Sequence, residues 1–177
     1  MERKVVLYIA QSLDGFIATE DHDISWLSIV EQEGEDYGYE DFVDTVDTVF
    51  MGRRTYEKVL SFGIEFPHKD RNCYVLSTSR TGSDENVTFF SGDLKALVGD
   101  LKKKEGKNIF IDGGAEVVRV FRVLDLIDEI VISIIPMMLG KGIRLFKEID
   151  ATSQLKLISS QSFESGLVQL KYACIRD

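Results

Sequence analysis

The segment Asn108-Ile-Phe-Ile-Asp-Gly-Gly-Ala-Glu-Val117 restricts what this chain can fold into more than any other. A short apolar, β-branched strand runs into paired glycines, and the glycines open a helix. Without Cβ atoms, Gly113 and Gly114 let the backbone come close to a ligand. The free N–H groups of the first helical turn, at Ala115, Glu116 and Val117, then point toward a pyrophosphate. Paired glycines at a strand-to-helix junction also serve as plain turn chemistry. One such junction therefore leaves ligand contact open.

Two further junctions of the same kind narrow the choice. Thr48-Val-Phe-Met-Gly-Arg-Arg-Thr-Tyr56 is another short apolar strand, followed by Gly52 and a helix start. Two such turns imply a long ligand. Arg53 and Arg54 can give charge-assisted hydrogen bonds to phosphate, and Thr55 suits either a helix cap or a phosphate oxygen. A third strand, Cys73-Tyr-Val-Leu76, ends in Ser77-Thr-Ser-Arg80, where hydroxyls and a terminal arginine can hold another phosphate. Taken singly, Thr55 reads as a cap and Ser77 to Arg80 as a solvated turn. Three together, each at a strand's carboxyl end, point to a dinucleotide. An NAD site would place a carboxylate on the adenine ribose, and none stands beside Ser77. Arg53, Ser77 and Thr78 suit a 2′-phosphate instead, so the expected cofactor is NADPH.

Periodicity places strands near 4–10, 48–51, 72–76, 87–90, 108–112, 129–135, 155–163 and 167–175, and helices near 26–44, 54–61, 93–105 and 115–123. Strand and helix alternate until a terminal strand pair. The expected fold is α/β, a mostly parallel sheet with helices on both faces, finished by C-terminal antiparallel strands. With only Pro67 and Pro136 and no low-complexity tract, residues 1–177 read as a single domain. Ser61 to Arg71 and Thr81 to Asn86 read as surface loops.

A net charge of −9 argues against nucleic acid or an anionic membrane as the main partner, since either calls for a basic face. An anionic cofactor needs only a local island of arginine, which Arg53, Arg54 and Arg80 supply. No run of about 18 apolar residues occurs, and Met1-Glu-Arg-Lys-Val leads into a strand rather than a signal-peptide core, so a cytoplasmic location is expected. Cys73 and Cys174 read as free thiols in strands. No Cys-x-x-Cys pair exists, and His22 and His68 lack neighbouring ligands, so no metal site is expected.

Ser12-Leu-Asp-Gly-Phe-Ile-Ala18, Met51-Gly-Arg-Arg-Thr55, Leu76-Ser-Thr-Ser-Arg80, Gly113-Gly114 and Leu139-Gly-Lys-Gly-Ile-Arg-Leu-Phe146 occur in that order. In this the chain resembles the dihydrofolate reductase superfamily. The Ser-x-Asp-Gly start and the late Leu-Gly-x-Gly-x-x-Leu-Phe segment bring it closer to the reductase half of the bifunctional deaminase-reductase of bacterial riboflavin biosynthesis. The resemblance implies a dihydrofolate reductase-like three-layer sandwich and hydride transfer from NADPH to a C=N bond of a pyrimidine or pterin. It also implies a loop after strand one that covers the nicotinamide, with backbone groups of Ala10 and Ile17 holding the carboxamide. Asp14 is expected to stabilise its own turn. The superfamily's pocket acid matches Asp36, sixteen residues before Gly52, with Glu31 in reserve. Trp26, the counterpart of the family's pocket tryptophan, stands ten residues before Asp36, further than the pattern has it.

Asp36 is flanked by Tyr37-Gly38-Tyr39, and aromatic neighbours would desolvate its carboxyl group toward general-acid use. Asp112, just before the glycine pair, matches an acid of the riboflavin-type reductases and is the second catalytic candidate. Ser133 falls where the superfamily places a hydroxyl beside its substrate. The riboflavin reductases are dimers, and Ile130 to Ile135 with Pro136-Met-Met-Leu139 suits either a symmetric interface or closure of the core. Dihydrofolate reductase activity and a non-catalytic nucleotide-binding or sensing module stay open as alternatives.

Overall fold

Short, mostly apolar runs become eleven strands, nine of them in one sheet, in the computed structural model, which describes residues 2–176. The strands are β1 (Val5–Ser12), β2 (Phe16–Ala18), β3 (Val46–Gly52), β4 (Asn72–Leu76), β5 (Gly82–Ser83) and β6 (Thr88–Phe90). They continue with β7 (Asn108–Gly113), β8 (Glu129–Ile135), β9 (Ile143–Arg144), β10 (Gln154–Ser162) and β11 (Val168–Ile175). The helices are α1 (Tyr39–Asp44), α2 (Arg53–Ser61), α3 (Leu94–Lys103) and α4 (Ala115–Val123). The sheet runs β10-β11-β8-β1-β7-β3-β4-β6-β5, parallel from β8 to β6 and antiparallel at both ends.

Strand alternation divides the core into two layers. Val5, Leu7, Phe50, Ile109 and Ile111 face α3 and α4, meeting Leu94, Val98, Val118 and Phe121. Val49, Met51, Cys73, Val75 and Phe110 face the other way, toward Tyr56 of α2 and Phe42 of α1. Phe110 is 1% exposed, and burying a side chain of that size stabilises the fold by about 1.5–3 kcal/mol. Asp93 caps α3 by accepting the Ala96 N–H at 3.0 Å. The expected three-layer sandwich is the observed one.

Two expectations about local structure fail. No continuous helix spans 26–44: Ser25–Val30 is a short 3-10 helix, Gln32 and Glu35 pair across a tight turn, and α1 begins only at Tyr39. Gly34 and Gly38 take positive φ, and so does Tyr37, at 58°, so the chain turns where a helix would continue. The loop at 81–86 contains β5, and β2 and β9, neither expected, form a separate antiparallel ribbon.

Ile130 to Ile135 are buried within the chain apart from half-exposed Ile134, so that stretch closes the core. Met137 packs with it, whereas Met138 is 70% exposed. The sheet is uncovered at its β10 edge, where every residue of the strand is exposed. Cys73 and Cys174 are free thiols, the first buried and the second half-buried. No helix among the described residues is long and apolar enough to cross a membrane.

The amino ends of the parallel strands carry a charged network. The buried Arg3 guanidinium binds the Asp47 carboxylate and donates to Thr48 Oγ1 at 2.9 Å and to the Leu101 carbonyl at 3.1 Å. Glu129 accepts from Lys4 at 2.5 Å and lies 2.9 Å from Lys171, while Asp128 accepts from Lys102 at 2.7 Å and Arg176 at 2.5 Å. Burial raises the pKa of Asp128 and of Glu129, but these cations outweigh it, and both carboxyls end below their ordinary values. Carboxyls lowered in the folded state stabilise it above their unfolded pKa values of about 4, and the gain is lost as pH falls through the folded values. The urea midpoint should therefore hold steady from pH ~7 to ~5 and fall below pH ~4. Asp128→Asn should flatten that fall, and an unchanged acid profile in the variant would remove Asp128 from the account.

Candidate active site

Three strand ends meet where the sequence places its three phosphate-type turns. β7, β3 and β4 are adjacent and parallel, with Met51 paired to Gly113 and Gly52 to Leu76. The two glycine junctions touch: a Cβ on Gly52 would lie 3.7 Å from the Gly114 nitrogen and 3.3 Å from Val117 Cγ2. Gly113 has φ +125°, its bond to Gly114 is cis, and Gly114 is the N-cap of α4. Gly52 is the N-cap of α2 and no side chain caps that helix, so Thr55 is not its cap. A Cβ on Gly114 would instead lie 3.4 Å from Thr55 Oγ1. Two helix amino ends, on opposite faces of the sheet, thus flank one crevice with the Thr55 hydroxyl beside it.

The charged groups around the crevice are partly committed. Arg53 lies 3.6 Å from Glu57, Arg54 lies 3.0 Å from His22 Nε2, and Arg80 stacks 3.9 Å over the Phe89 ring and 3.8 Å from Asp84. Ser77 Oγ accepts the N–H groups of Ser79 and Arg80 and so shapes its own turn. Glu116, in the first turn of α4, is paired with Arg119 and Lys147 at 2.7 and 3.0 Å. The Arg119 contact is the larger cause of its lowered pKa.

Asp14 does not merely hold its own turn. Its carboxylate accepts the Ser12 hydroxyl at 2.6 Å, the Leu139 N–H at 3.1 Å and the Gly140 N–H at 2.7 Å, and the Ser12 bond leads in holding its pKa below the usual range. Ser12 Oγ in turn accepts the Phe16 N–H at 3.0 Å. Leu145 donates to the Gly15 carbonyl at 3.0 Å, and Arg144 stacks 4.7 Å over Phe16. The Ser-x-Asp-Gly and Leu-Gly-x-Gly segments are therefore two halves of one clasp, with Ala10 and Ile17 on either side of the β1–β2 turn.

Beside the clasp, on the α1 face of the sheet, lies a cavity of about 320 Å³. Tyr8, Ala10, Ser133 and Ile135 form its floor, Tyr37 and Tyr39 its walls, and Glu31, Glu35 and Asp36 stand on its rim. Gln169 Nε2 lies 3.0 Å from Tyr8 Oη, 3.1 Å from the Tyr37 carbonyl and 3.2 Å from Ser133 Oγ, joining β1, β8 and β11 beneath the cavity. Tyr8 stacks on Phe42 at 4.4 Å and donates to the Tyr37 carbonyl at 2.9 Å. Burial is the main reason its phenol is raised in pKa, with the Asp36 charge adding to it.

Asp36 reaches the cavity but lacks the environment of a general acid. It is exposed, and it accepts the Glu40 N–H at 2.7 Å and the Gly38 N–H at 2.9 Å, capping the start of α1. The Glu40 and Gly38 bonds, in that order, lower its pKa where desolvation was expected to raise it. Trp26 packs in the core with Val30, Ile135 and Leu167 and is not among the lining residues. Asp112 stands behind Tyr39 at the end of β7, its Oδ2 3.6 Å from Nε2 of buried His68. Burial first and the Asp112 charge second raise the pKa of Tyr39, and the same two causes push the Cys73 thiol up to about 12.

The model of the RibD C-terminal domain matches residues 3–169. The chain belongs to that family. A Bacillus subtilis protein, the uncharacterized YwjB, is 49% identical over 173 residues, covering 97% of this chain and 98% of its own. A solved structure from Shewanella sp. PV-4, provisionally named a riboflavin biosynthesis protein, shares 32% identity with a TM-score of 0.90, covering 99% of this chain and all of that one. Dihydrofolate reductase of Enterococcus faecalis, solved with NADP(H) and RAB-propyl, superposes with a TM-score of 0.67 at 18% identity, over 99% of this chain and 100% of its own. That likeness is one of fold.

In this RibD C-terminal domain the crevice glycines and Asp112 lie at strand carboxyl ends, as expected, and Ser133 lines the cavity. Gln169 and His68 were not expected there. Gln169 lies directly beneath the cavity floor because Gln169 pairs with Ser133 and Ser133 with Ala10. The alternating Val168-Gln-Leu-Lys-Tyr172 run, which puts Gln169 on one face of β11, was the available signal.

Proposed function

We propose that this chain is an NADPH-dependent reductase that transfers hydride to a C=N bond of a pyrimidine or pterin-type acceptor, in the manner of the riboflavin-biosynthesis reductases. The observation that carries the reading is the meeting of Gly52, Leu76 and Gly113-Gly114 at three neighbouring strand ends, beside a cavity of ring-binding size. A glycine cradle between two helix amino ends fits a pyrophosphate. When bound, the reduced nicotinamide supplies the hydride.

The chain's own residues bind and orient. N–H groups at the starts of α2 and α4, with Thr55, take the pyrophosphate, and Arg53, Arg54, Arg80, Ser77 and Thr78 surround the adenine-ribose phosphate. The clasp holds the backbone of Ala10 and Ile17 against the carboxamide, and Ser133 anchors the acceptor ring. Asp36 is ionised at neutral pH because its pKa is lowered, so it serves as a contact. The proton then comes from water at the cavity mouth or from Asp112. A homodimer would cover the exposed β10 strand.

Calorimetry should give micromolar NADPH affinity and much weaker NADH affinity, and a panel of pyrimidine and pterin acceptors should show NADPH oxidation. Asp112→Asn should slow that turnover by about 100-fold with NADPH affinity retained. Binding of neither nucleotide would sink the reductase reading. NADPH binding without turnover on any acceptor would favour the non-catalytic nucleotide-binding module.

A further inference from the structure

We propose that the acceptor seated in the aromatic cavity carries no phosphate, and that the acidic rim selects a neutral or cationic ring over its phosphorylated counterpart. The inference deepens the reductase reading and rests on this cavity being the acceptor site.

The charge on the wall is of one sign. Glu31, Glu35 and Asp36 line the cavity, and no lysine, arginine or histidine is among the lining residues. Asp36 is held ionised by the two N–H groups it accepts. Several cations near the sheet are held by other groups or lie away from the cavity. Arg71 donates to the Val43 carbonyl at 3.0 Å, Lys4 and Lys171 bind Glu129, and Arg53, Arg54 and Arg80 lie on the crevice edge. A phosphate group brought to this rim would meet carboxylates with no guanidinium or ammonium to pair it, and like-charge juxtaposition of that kind suppresses binding strongly.

The floor defines what the cavity does accept. Ser133 is 6% exposed, its Oγ accepts from Gln169, and its own hydroxyl proton has no acceptor among the described residues. That proton can be donated to a ring oxygen or nitrogen. Three tyrosines supply apolar faces for a flat ring, and the rim carboxylates accept from its amino groups or favour a positive charge on it. A flat heteroaromatic ring with an acceptor on one side and donors on the other fits this arrangement. A 5′-phosphorylated sugar on that ring does not.

The test uses two compounds that differ only by the phosphate, 5-amino-6-ribosylaminouracil and 5-amino-6-(5-phosphoribosylamino)uracil, titrated calorimetrically into the full chain. The unphosphorylated compound should bind about 30-fold more tightly, and the gap should narrow as salt rises. Glu31 is exposed and its side chain makes no hydrogen bond among the described residues, so Glu31→Lys should leave the fold intact and cut the gap to about 3-fold or less. Equal or tighter binding of the phosphorylated compound overturns the proposal, as does binding of neither. The titration needs no turnover, so failure of the reductase reading registers separately, as absent NADPH oxidation with either compound.

Discussion

Replacing Gly142 with alanine is expected to lower the unfolding free energy by about 3 kcal/mol. A Cβ at this position would lie 2.3 Å from the Ala18 carbonyl oxygen and 3.3 Å from Thr19 Cα, all backbone, so no side chain can swing aside. The residue also has φ +150°, which an L side chain rarely adopts. Gly140 provides the control. Its φ is +74° but nothing lies within 4 Å of its Cβ position, so Gly140→Ala should cost only the backbone strain, about 1 kcal/mol. Urea unfolding of both variants reads the difference directly, and equal losses would show that the approach of β9 to β2 carries no weight. Because Gly142 sits inside the clasp built by Asp14, the same substitution should raise the KM for NADPH in any active preparation.

Gly114→Ala is expected to do the opposite, sparing the fold and damaging the ligand site. The only atom near its Cβ position is Thr55 Oγ1, at the ordinary contact distance of 3.4 Å, and the glycine's φ of −89° suits any residue. A methyl there would stand between the α4 N–H groups and a pyrophosphate, lengthening charge-assisted hydrogen bonds. NADPH affinity should fall by about 30-fold, the equivalent of about 2 kcal/mol, with the urea midpoint little changed. If affinity were untouched, the glycine pair would be plain turn chemistry and the cofactor reading would lose its main support.

The parts of the molecule written in short range were readable from the sequence. Helix 115–123 and strand 129–135 lie where periodicity places them, because capping, alternation and a glycine start are local signals. The parts that depend on distant contacts were not. Asp14 reads as a turn residue until Leu139 and Gly140 arrive from 125 and 126 positions away. The acidic stretch after Trp26 has enough apolar spacing to look helical, yet Gly34, Tyr37 and Gly38 take left-handed backbone and Asp36 spends its carboxylate on two N–H groups. Its expected acidity shift was therefore wrong in sign. Flanking aromatics suggested desolvation, but the side chain points to water and into hydrogen bonds.

The charged network at the amino ends of the strands has a further consequence. Arg3, Asp128 and Glu129 lie a full strand length away from the glycine crevice, so alterations at the two edges should combine nearly independently. Foundation and workshop occupy opposite walls of the same building. A lineage that keeps the foundation is free to rewrite the rim between Thr19 and Gly38 and so acquire a new acceptor without having to learn to fold again.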